Sequence, residues 1–333
     1  MVISKTPFRM SFFGGGTDYP EFYQEHGGSV LSTTFDKYCY VTARHLPPFF
    51  EYENMIAYSK VEKVNSTDEI VHPSIRETMK YMDMRQMHVG YDGDLPARAG
   101  LGSSSSFVVG MMNSFYALKG KYVEKRRLAD EAIYIERVLC KESGGIQDQI
   151  AVAFGGLNRI DFGAGGYSVT PIIMHPERKK QLNKNLMLFF TGFSRISAEI
   201  AESQKKVTSS GTKTPELCHM VEIVQEACSL LQDKKSDLNG FGKLLDEAWK
   251  IKRGITNKIS TSSIDRIYNE AIQAGATGGK LLGAGGGGFI LFYVEEERQK
   301  KVREELKDLV YVPFEFEDDG SQIMYYAEEE FEV

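Results

Sequence analysis

A run of glycines and four serines, Gly100-Leu-Gly-Ser-Ser-Ser-Ser106, leads directly into an apolar, periodic segment. Val108, Met111, Met112 and Phe115 recur at i, i+3, i+4 and i+7, which predicts an amphipathic helix. Free amides, capping hydroxyls and the positive end of the helix dipole together bind anions such as phosphate. The alternative is an ordinary serine cap after a glycine turn, but a cap needs one serine. The segment is therefore interpreted as a phosphate-binding loop.

Other phosphate and nucleophile motifs do not fit the chain. The pattern G-x-x-x-x-G-K-[ST] fails because Leu281 follows Gly279-Lys280 and Ala274 replaces the first glycine. Gly283–Gly288 satisfies G-x-G-x-x-G, but the dinucleotide fingerprint follows a strand and opens a helix, whereas this run precedes the apolar stretch FILFYV. The serines also lack the G-x-S-x-G pattern of a hydrolase. A dinucleotide-dependent oxidoreductase therefore stays a weak alternative.

Two carboxylates follow the serine run. Glu136 lies in a predicted helix over Val123–Lys141, and Asp148 comes twelve residues later, after a glycine pair. A carboxylate and a hydroxyl suit Mg²⁺, which takes few protein ligands and keeps several waters. A separate carboxylate beside an acceptor hydroxyl can orient it and accept its proton. Either acid alone fits a surface position or a helix cap equally well, so the hypothesis depends on the neighbouring motifs.

A fourth group of polar residues lies near the N-terminus. Thr6-Pro-Phe-Arg9 is followed by Gly14-Gly-Gly-Thr-Asp18. A strand that presents Arg9, followed by a glycine turn that presents Asp18, suits a polyol, because a carboxylate accepts hydrogen bonds from sugar hydroxyls. The alternative is a tight turn with a capping aspartate.

Composition bounds the classes of protein that the chain can be. It has 333 residues, 42% hydrophobic and 26% charged, which fits two globular domains or one large one. No run approaches the roughly 18 apolar residues that cross a bilayer, and MVISKTPFRM has no secretory signal core, so we expect no membrane association and a cytoplasmic location. Four cysteines fit no metal-ligand spacing.

The charge is unevenly distributed. The net charge is −6, but residues 315–333 carry eight acids and no lysine or arginine, so the other 314 residues have a net charge of +2. A near-neutral body argues against nucleic-acid binding, which needs a large basic surface. It leaves room for a small cationic pocket that would suit an anionic metabolite. The acidic tail is interpreted as a solvated edge.

Hydrophobic periodicity predicts the helices and strands that position these residues, and glycines indicate where these elements end. Strands and helices mix without regular β-α-β alternation, which predicts an α+β fold. Polar, small residues predict a mobile surface loop over Lys205–Pro215. The predicted strands are Val2–Phe12, Val30–Arg44, a segment before Asp92, LNRIDF, Leu186–Phe190 and Phe289–Val294; the predicted helices are Ser74–Met84, one from Gly102, Val123–Lys141, Ser197–Val207, Pro215–Gln232, Leu238–Lys252, Ser262–Ala274 and Glu295–Leu309.

Three motifs, taken in order, resemble those of the GHMP kinases, the superfamily of galactokinase, homoserine kinase, mevalonate kinase and phosphomevalonate kinase. They are PFRMSFFGGGTD, PARAGLGSSSS and KLLGAGGGGFILF, and they span Pro7 to Phe292. Within the superfamily the first motif and its continuation look most like the D-glycero-D-manno-heptose 7-phosphate kinases. Galactokinases would show Gly-Glu-His-Thr-Asp where this chain has Gly14-Gly-Gly-Thr-Asp18, and the kinase domain of fucokinases shares much of the first motif.

The resemblance implies a two-lobed α+β kinase with ATP between the lobes. Residues 1–165 would form a ribosomal-protein-like N-terminal domain, and residues 166–333 a ferredoxin-like C-terminal domain. The implied reaction is ATP-dependent phosphorylation of the anomeric hydroxyl of heptose 7-phosphate to the 1,7-bisphosphate, in the biosynthesis of nucleotide-activated heptose. A fucokinase-like or galactokinase-like sugar 1-kinase is the alternative.

Site residues follow from the same resemblance, by motif position. Asp148 would be the catalytic aspartate and Arg9 would assist the reacting oxygen, although Gln147 stands between Gly-Ile and Asp148 where mevalonate kinases have Gly-Val-Asp. Ser104 and Glu136 would hold Mg²⁺. The ATP phosphates would bind Pro96, Gly100, Leu101, Gly102, Ser103, Ser104, Ser105 and Ser106; the sugar would contact Asp18, Thr17, Gly16, Gly285, Gly286 and Gly287.

The expected partner is a small sugar phosphate, with a homodimer left open. Its distal phosphate needs charged donors, for which the sequence offers Lys5, Lys37, Arg44 and Arg98, with amides at Gly27-Gly-Ser29. A catalytically inactive relative that senses sugars is a further alternative, which the intact Ser104, Glu136 and Asp148 disfavour.

Overall fold

The computed structural model describes residues 1–192 and 197–328, with the side chains of residues 197 and 198 left out. Its first half contains a long two-stranded ribbon that is crossed by helices. In chain order these elements are β1 (Val2–Phe13), α1 (Pro20–His26), β2 (Gly28–His45), β3 (Asn54–Ala57), β4 (Val61–Val64), α2 (Pro73–Tyr81), β5 (Met87–Gly93), α3 (Ser103–Leu118), α4 (Lys125–Ile133) with a π-helical turn after it (Tyr134–Leu139), α5 (Gln147–Phe154), β6 (Asn158–Gly163) and β7 (Gly166–Pro171).

The second half is richer in helix and has shorter strands. Its elements are α6 (Pro176–Lys184), β8 (Leu186–Phe190), α7 (Ser197–Ser209), α8 (Thr214–Gln232), α9 (Asn239–Arg253), α10 (Ser262–Ala274), β9 (Gly278–Leu281), β10 (Phe289–Tyr293), α11 (Glu296–Glu305), β11 (Val310–Val312), β12 (Phe316–Glu317) and β13 (Gln322–Tyr326).

The larger sheet is built around the β1–β2 ribbon. These strands pair antiparallel, from the pair of Val2 with Ala43 to the pair of Phe13 with Leu31. Strand β5 pairs with the C-terminal end of β2. The strand order is β13-β1-β2-β5-β3-β4, with β6 and β12 also on β2 and β7 on β6. Helix α3 lies across β1 and β2, where Gly110 lets it approach so closely that Ser4 donates to the Gly110 carbonyl at 2.8 Å. The end of β1 and the start of α3 are therefore neighbours.

The smaller sheet has the order β11-β8-β10-β9, with antiparallel pairing throughout. Helix α9 packs against β9 and β10. Its Phe241 ring meets Phe12 and Phe13 edge-on, with centroids 5.2 and 5.0 Å apart, so α9 also closes on the end of β1. The α+β prediction is confirmed. The two sheets meet where β1 ends.

The predicted elements agree with the structure where periodicity is strong, as in β1, β2, α3, α8, α9, α10 and β10. The loop predicted over Lys205–Pro215 is wrong for most of its length, because α7 continues to Ser209 and α8 begins at Thr214. Ile200, Gln204 and Thr208 are buried at i, i+4 and i+8, so α7 packs through a narrow stripe. Two of those three residues are polar, and hydrophobicity alone does not reveal the stripe.

The division into two domains at residue 165 stays a prediction. Strands from beyond residue 165 pair with strands from before it. Strand β7, just beyond the division, pairs with β6 in the larger sheet. Near the C-terminus β12 pairs with β2 and β13 with β1, so the chain returns to the sheet in which it began. The described part of the acidic tail thus contributes an edge strand, β13, whose side chains are mostly exposed.

Membrane association is tested by helix length and polarity. Among residues 1–192 and 197–328, no helix is both long and apolar enough to span a bilayer. The cytoplasmic location stays a prediction.

A substitution at Gly155 tests the return of the C-terminal segment. Gly155 has φ +71°, and a Cβ there would lie 2.1 Å from backbone atoms of Asp319 and Gly320. We expect Gly155→Ala to lower the free energy of unfolding by at least about 1–3 kcal/mol, because alanine is strained in the left-handed backbone conformation. The collision of its Cβ with the C-terminal segment adds to that loss. Urea denaturation measures this. Gly120→Ala is the control, because Gly120 also has a positive φ, +62°, and a Cβ there meets nothing within 4 Å; an equal loss of stability in the two variants would contradict the docking.

Candidate active site

A cavity of about 140 Å³ lies where the two sheets meet. Its walls come from the end of β1 and the glycine turn after it, the loop before α5, and helices α7 and α9. The Gly283 loop between β9 and β10 completes it. It is lined by Arg9, Ser11, Gly15, Gly16, Asp18, Tyr19, Arg137, Ser143, Gly144, Gly145, Gln147, Asp148, Ala201, Gln204, Lys252, Lys280, Gly283 and Ala284.

The Arg9 guanidinium joins three separate segments. Its Nε and Nη2 donate to the two carboxylate oxygens of Asp148 at 2.8 and 2.7 Å, and its Nη1 donates to the Gly100 carbonyl at 2.6 Å. Arg9 is buried and Asp148 is partly exposed, in the first turn of α5. The geometry is the fork-to-fork pair that Arg and carboxylate make. It fixes the carboxylate beside the Gly100–Ser106 segment, the predicted phosphate loop.

The serine run begins α3 as predicted, but its hydroxyls do not cap the helix. Gly102, in the left-handed conformation, precedes α3, and no side-chain cap is formed. Ser103 Oγ accepts from the Arg98 amide, and Ser106 Oγ donates to the Pro7 carbonyl at 3.0 Å. The first amides of a helix have no partner within the helix, so the start of α3 keeps its donors for an anion.

Ser104 and Ser105 both turn towards Glu136, which lies in the π-helical turn after α4. Ser104 Oγ donates to Glu136 Oε1 at 2.8 Å, and Ser105 Oγ donates to Oε2 at 2.7 Å. The Gln149 amide also donates to Oε2. Glu136 is buried, and among the described residues it makes no ion pair. Three donors offset part of the cost of burying this carboxylate, and Glu136 with the exposed Ser104 offers oxygen ligands of the kind that suit Mg²⁺.

Asp18 is held at the cavity wall by backbone amides. Its carboxylate accepts from the amides of Gly16 at 2.9 Å and Gln147 at 3.2 Å. Burial raises the pKa of Asp18, and the nearby Asp148 raises it further, whereas these amides oppose the shift. A carboxyl group in this position can bind sugar hydroxyls. Thr17, predicted to contact the sugar, is fully buried and bonds the backbone of Gly14 and Ser29, so it holds the turn instead.

The Gly283 loop lies directly on the phosphate loop. A Cβ at Gly283, whose φ is +77°, would lie 2.4 Å from the Gly100 Cα, so only glycine permits this contact. Gly283 and Ala284 line the cavity. Gly286 donates to the Ile259 carbonyl, and the sugar contacts predicted for Gly285, Gly286 and Gly287 stay a prediction.

Two buried lysines in the cavity wall were missed by the sequence analysis. Lys280 Nζ donates to the carbonyls of Ser11 and Phe12, and Lys252 Nζ donates to the Gly283 carbonyl at 2.7 Å. Burial lowers the pKa of both, that of Lys252 to about 8. A signal existed for Lys252, because it lies three, four and seven residues after Trp249, Ala248 and Leu245 on the buried face of α9.

The basic residues proposed for the distal phosphate lie elsewhere. Lys5 faces Glu317 and the Tyr38 ring, and Lys37 donates to Asp36. The cavity is not lined by any of the residues proposed for this phosphate, which are Lys5, Lys37, Arg44, Arg98 and Gly27–Ser29. Among the described residues the cavity takes its cations from Arg9, Arg137, Lys252 and Lys280.

The roles predicted for Arg9, Asp148, Ser104, Glu136, Asp18 and the Pro96–Ser106 segment stay proposals. The structure does bring these residues together around one junction, with Arg9, Asp18 and Asp148 in the cavity wall and Ser104 and Glu136 beside the start of α3.

Comparison with known proteins gives one consistent family. Residues 69–156 match the GHMP kinases N terminal domain, and residues 223–312 match the GHMP kinases C terminal domain. A D-glycero-alpha-D-manno-heptose 7-phosphate kinase of Campylobacter jejuni is 29% identical, over 85% of this chain and 86% of that protein. A galactokinase of Pyrococcus furiosus is 28% identical, over 85% and 86%.

Solved structures give the same result. The crystal structure of a D-glycero-D-manno-heptose 1-phosphate kinase from Bacteroides thetaiotaomicron superposes with a TM-score of 0.73 at 25% identity, covering 98% of this chain and 100% of that one. A mevalonate kinase superposes with a TM-score of 0.72 at 19% identity, which shows the shared fold.

Proposed function

Because the chain belongs to the GHMP kinase family and is an ATP-dependent sugar kinase, we propose that it phosphorylates the anomeric hydroxyl of D-glycero-D-manno-heptose 7-phosphate. The products are the 1,7-bisphosphate and ADP, and the step belongs to the biosynthesis of nucleotide-activated heptose.

The observation that carries the proposal is the position of the Arg9–Asp148 pair. Asp148 lines the cavity, and Arg9 joins it to the Gly100 carbonyl of the loop that opens α3. An acceptor in the cavity therefore lies beside the site that suits the ATP phosphates. Positioning and charge stabilisation supply most of the rate in phosphoryl transfer, so this proximity supports a kinase mechanism.

Each residue then has a role in the transfer. The amides of Gly100–Ser106 and the start of α3 bind the ATP phosphates, and Asp18 accepts hydrogen bonds from sugar hydroxyls. Asp148 orients the anomeric hydroxyl and accepts its proton as that oxygen attacks the γ-phosphorus. The bond from the γ-phosphorus to ADP breaks, and Arg9 stabilises the charge that develops near the acceptor oxygen. An anomeric hydroxyl is more acidic than an ordinary alcohol, which suits a carboxylate base.

Glu136 and Ser104 would hold Mg²⁺. The cation would neutralise charge on the ATP phosphates. Ser105 and Gln149 donate to Glu136 and keep its carboxylate aligned with Ser104. Ser104 is the exposed residue of this group.

The acceptor is supported by the relatives and by the charge of the cavity. One curated relative and one solved neighbour carry heptose phosphate kinase names. The cavity walls hold four cationic side chains against two aspartates, Asp18 and Asp148. That excess suits an acceptor that already carries a phosphate. The galactokinase relative, at 28% identity, supports the alternative of a sugar 1-kinase for an uncharged sugar.

We expect Asp148→Asn to lower kcat by about 10²-fold or more, because a general base of this kind contributes about that much. ATP affinity should stay within a few-fold, since Asp148 does not belong to the phosphate loop. Steady-state kinetics and calorimetric ATP titration measure the two quantities. Asp265→Asn is the matched control, from an Arg–Asp pair outside the cavity. Unchanged turnover in folded Asp148→Asn would remove Asp148 from the mechanism.

We expect Glu136→Gln to raise the Mg²⁺ concentration for half-maximal rate, because it removes the charged ligand. Ser104→Ala should act in the same direction but less strongly, since a neutral ligand contributes less. Mg²⁺ titration of the rate at fixed ATP measures both. Glu131→Gln, at a glutamate of α4 that pairs with Arg127, is the control. Identical titrations for all three variants and the wild type would place the metal elsewhere.

We expect heptose 7-phosphate to exceed unphosphorylated heptose, galactose and fucose by about 10²-fold in kcat/KM. Two charged hydrogen bonds to a phosphate are worth at least that much. A coupled ADP-release assay over this panel measures the ratio. Preference for free galactose or fucose would exclude the heptose acceptor and leave the kinase assignment standing.

A further inference from the structure

Three buried polar side chains of the cavity converge on Gly15. A Cβ placed on Gly15 would lie 3.6 Å from each of Ser11 Oγ, Gln147 Nε2 and Lys252 Nζ. The three residues are 5%, 9% and 6% exposed, and all of them line the cavity. They come from β1, α5 and α9. A hydroxyl, an amide and an ammonium therefore bound the space above one residue without a side chain.

The absence of a side chain at Gly15 has no explanation in packing. At Gly14 a Cβ would lie 1.9 Å from the Ser29 carbonyl oxygen, and Gly16 has φ +112°, so both positions require glycine. Gly15 lacks a left-handed φ, and its Cβ would make only ordinary van der Waals contacts. The turn would thus tolerate a side chain at position 15. Glycine there leaves space next to the three polar groups.

Two of the three groups have unused donors. Ser11 Oγ is buried without a hydrogen-bond partner among the described residues. The Gln147 amide nitrogen faces the same space and also interacts with Asp18. Lys252 Nζ donates to the Gly283 carbonyl, and an ammonium has three donors. Buried polar groups are normally paired, so a cluster with spare capacity indicates a polar ligand.

Lys252 makes fewer hydrogen bonds to the main chain than Lys280, the other buried lysine of the cavity. Lys280 is directed at two main-chain carbonyls, those of Ser11 and Phe12, and acts as a clamp on β1. The Lys252 ammonium makes one such bond and faces the space above Gly15. A compact, buried ammonium beside hydroxyl and amide donors is suited to an anionic oxygen, such as those of phosphate.

We propose that the space above Gly15 is the subsite for the phosphate already carried by the acceptor, with Lys252 as its charged donor and Ser11 and Gln147 as neutral donors. This rests on the proposed function and identifies the residues that select a phosphorylated sugar. Lys252 is a specificity-determining residue here, distinct from the Arg9–Asp148 pair at the reacting hydroxyl.

The ionisation of Lys252 adds a pH signature. Burial lowers its pKa to about 8; Asp18 and Asp148 raise the pKa, whereas Arg9 lowers it, and Lys280 is a further cation near it. In the free enzyme the ammonium is therefore present below about pH 8 and is lost above it. We expect kcat/KM for the phosphorylated acceptor to fall as the pH rises through 8, whereas that for unphosphorylated heptose should not follow this titration.

Two variants test the subsite from opposite sides. Lys252→Met removes the cation, and Gly15→Glu places a carboxylate within reach of it and fills the space. For each variant, kcat/KM is measured with heptose 7-phosphate and with unphosphorylated heptose at saturating ATP. Both variants should lose about 10- to 100-fold more with the phosphorylated acceptor than with unphosphorylated heptose. Lys252→Arg should restore part of that loss and shift the pH decline upward. Lys243→Met, at an exposed lysine of α9, is the matched control.

The outcomes separate the subsite from the proposed function. Equal losses with both acceptors, or a retained preference for the phosphorylated one in both variants, would overturn the subsite while the kinase assignment stands. If Lys252→Met does not fold, Gly15→Glu alone decides, since its backbone accepts a side chain. A wild-type enzyme with no preference for the phosphorylated acceptor would overturn the proposed acceptor, and the subsite with it.

Discussion

The buried guanidinium of Arg9 is the interaction on which the rest of the site depends. A buried charge is tolerated only when its partners are placed accurately, and Arg9 takes its partners from α5 and from the loop before α3. These partners lie 139 and 91 residues away in the chain, respectively. Pairing therefore fixes the Asp148 carboxylate, the proposed catalytic base, relative to the loop that precedes α3. Loss of either partner would leave a charge inside the protein, so the pair also selects one arrangement of β1, α3 and α5.

The second sheet is fixed to the first at the same point. Lys280, in β9, donates to two carbonyls at the end of β1, and Phe241 of α9 packs on Phe12 and Phe13. Since β9 and β10 flank the Gly283 loop, these contacts determine where that loop lies. The result is the backbone contact between Gly283 and Gly100. Polar and apolar contacts thus converge within a few residues of the end of β1.

Much of this arrangement was predictable from the sequence, for identifiable reasons. Local periodicity and composition predict the glycine turns, the helix after the serines and the long strands. The partners of Ser104 and Ser105 could not be predicted locally, because Glu136 is more than 30 residues away. The helix α7 was predicted as far as Val207, but its last residues and its buried stripe were not, because the stripe includes the polar Gln204 and Thr208. Side chains that serve the site break the apolar pattern, so pattern alone underrates them.

Lys252 interrupts the apolar face of α9, and this interruption indicates a functional residue. A lysine on the apolar face of α9 costs desolvation energy, which a fold tolerates when the charge has a purpose or a partner. Its ammonium contacts the Gly283 carbonyl and faces the space above Gly15. Gly283 in turn rests on Gly100, in the loop that suits the ATP phosphates. One buried cation therefore connects the proposed acceptor cavity with the Gly283 loop, which rests on the proposed phosphate loop. In the proposed function, both substrates would be positioned against the same short stretch of main chain.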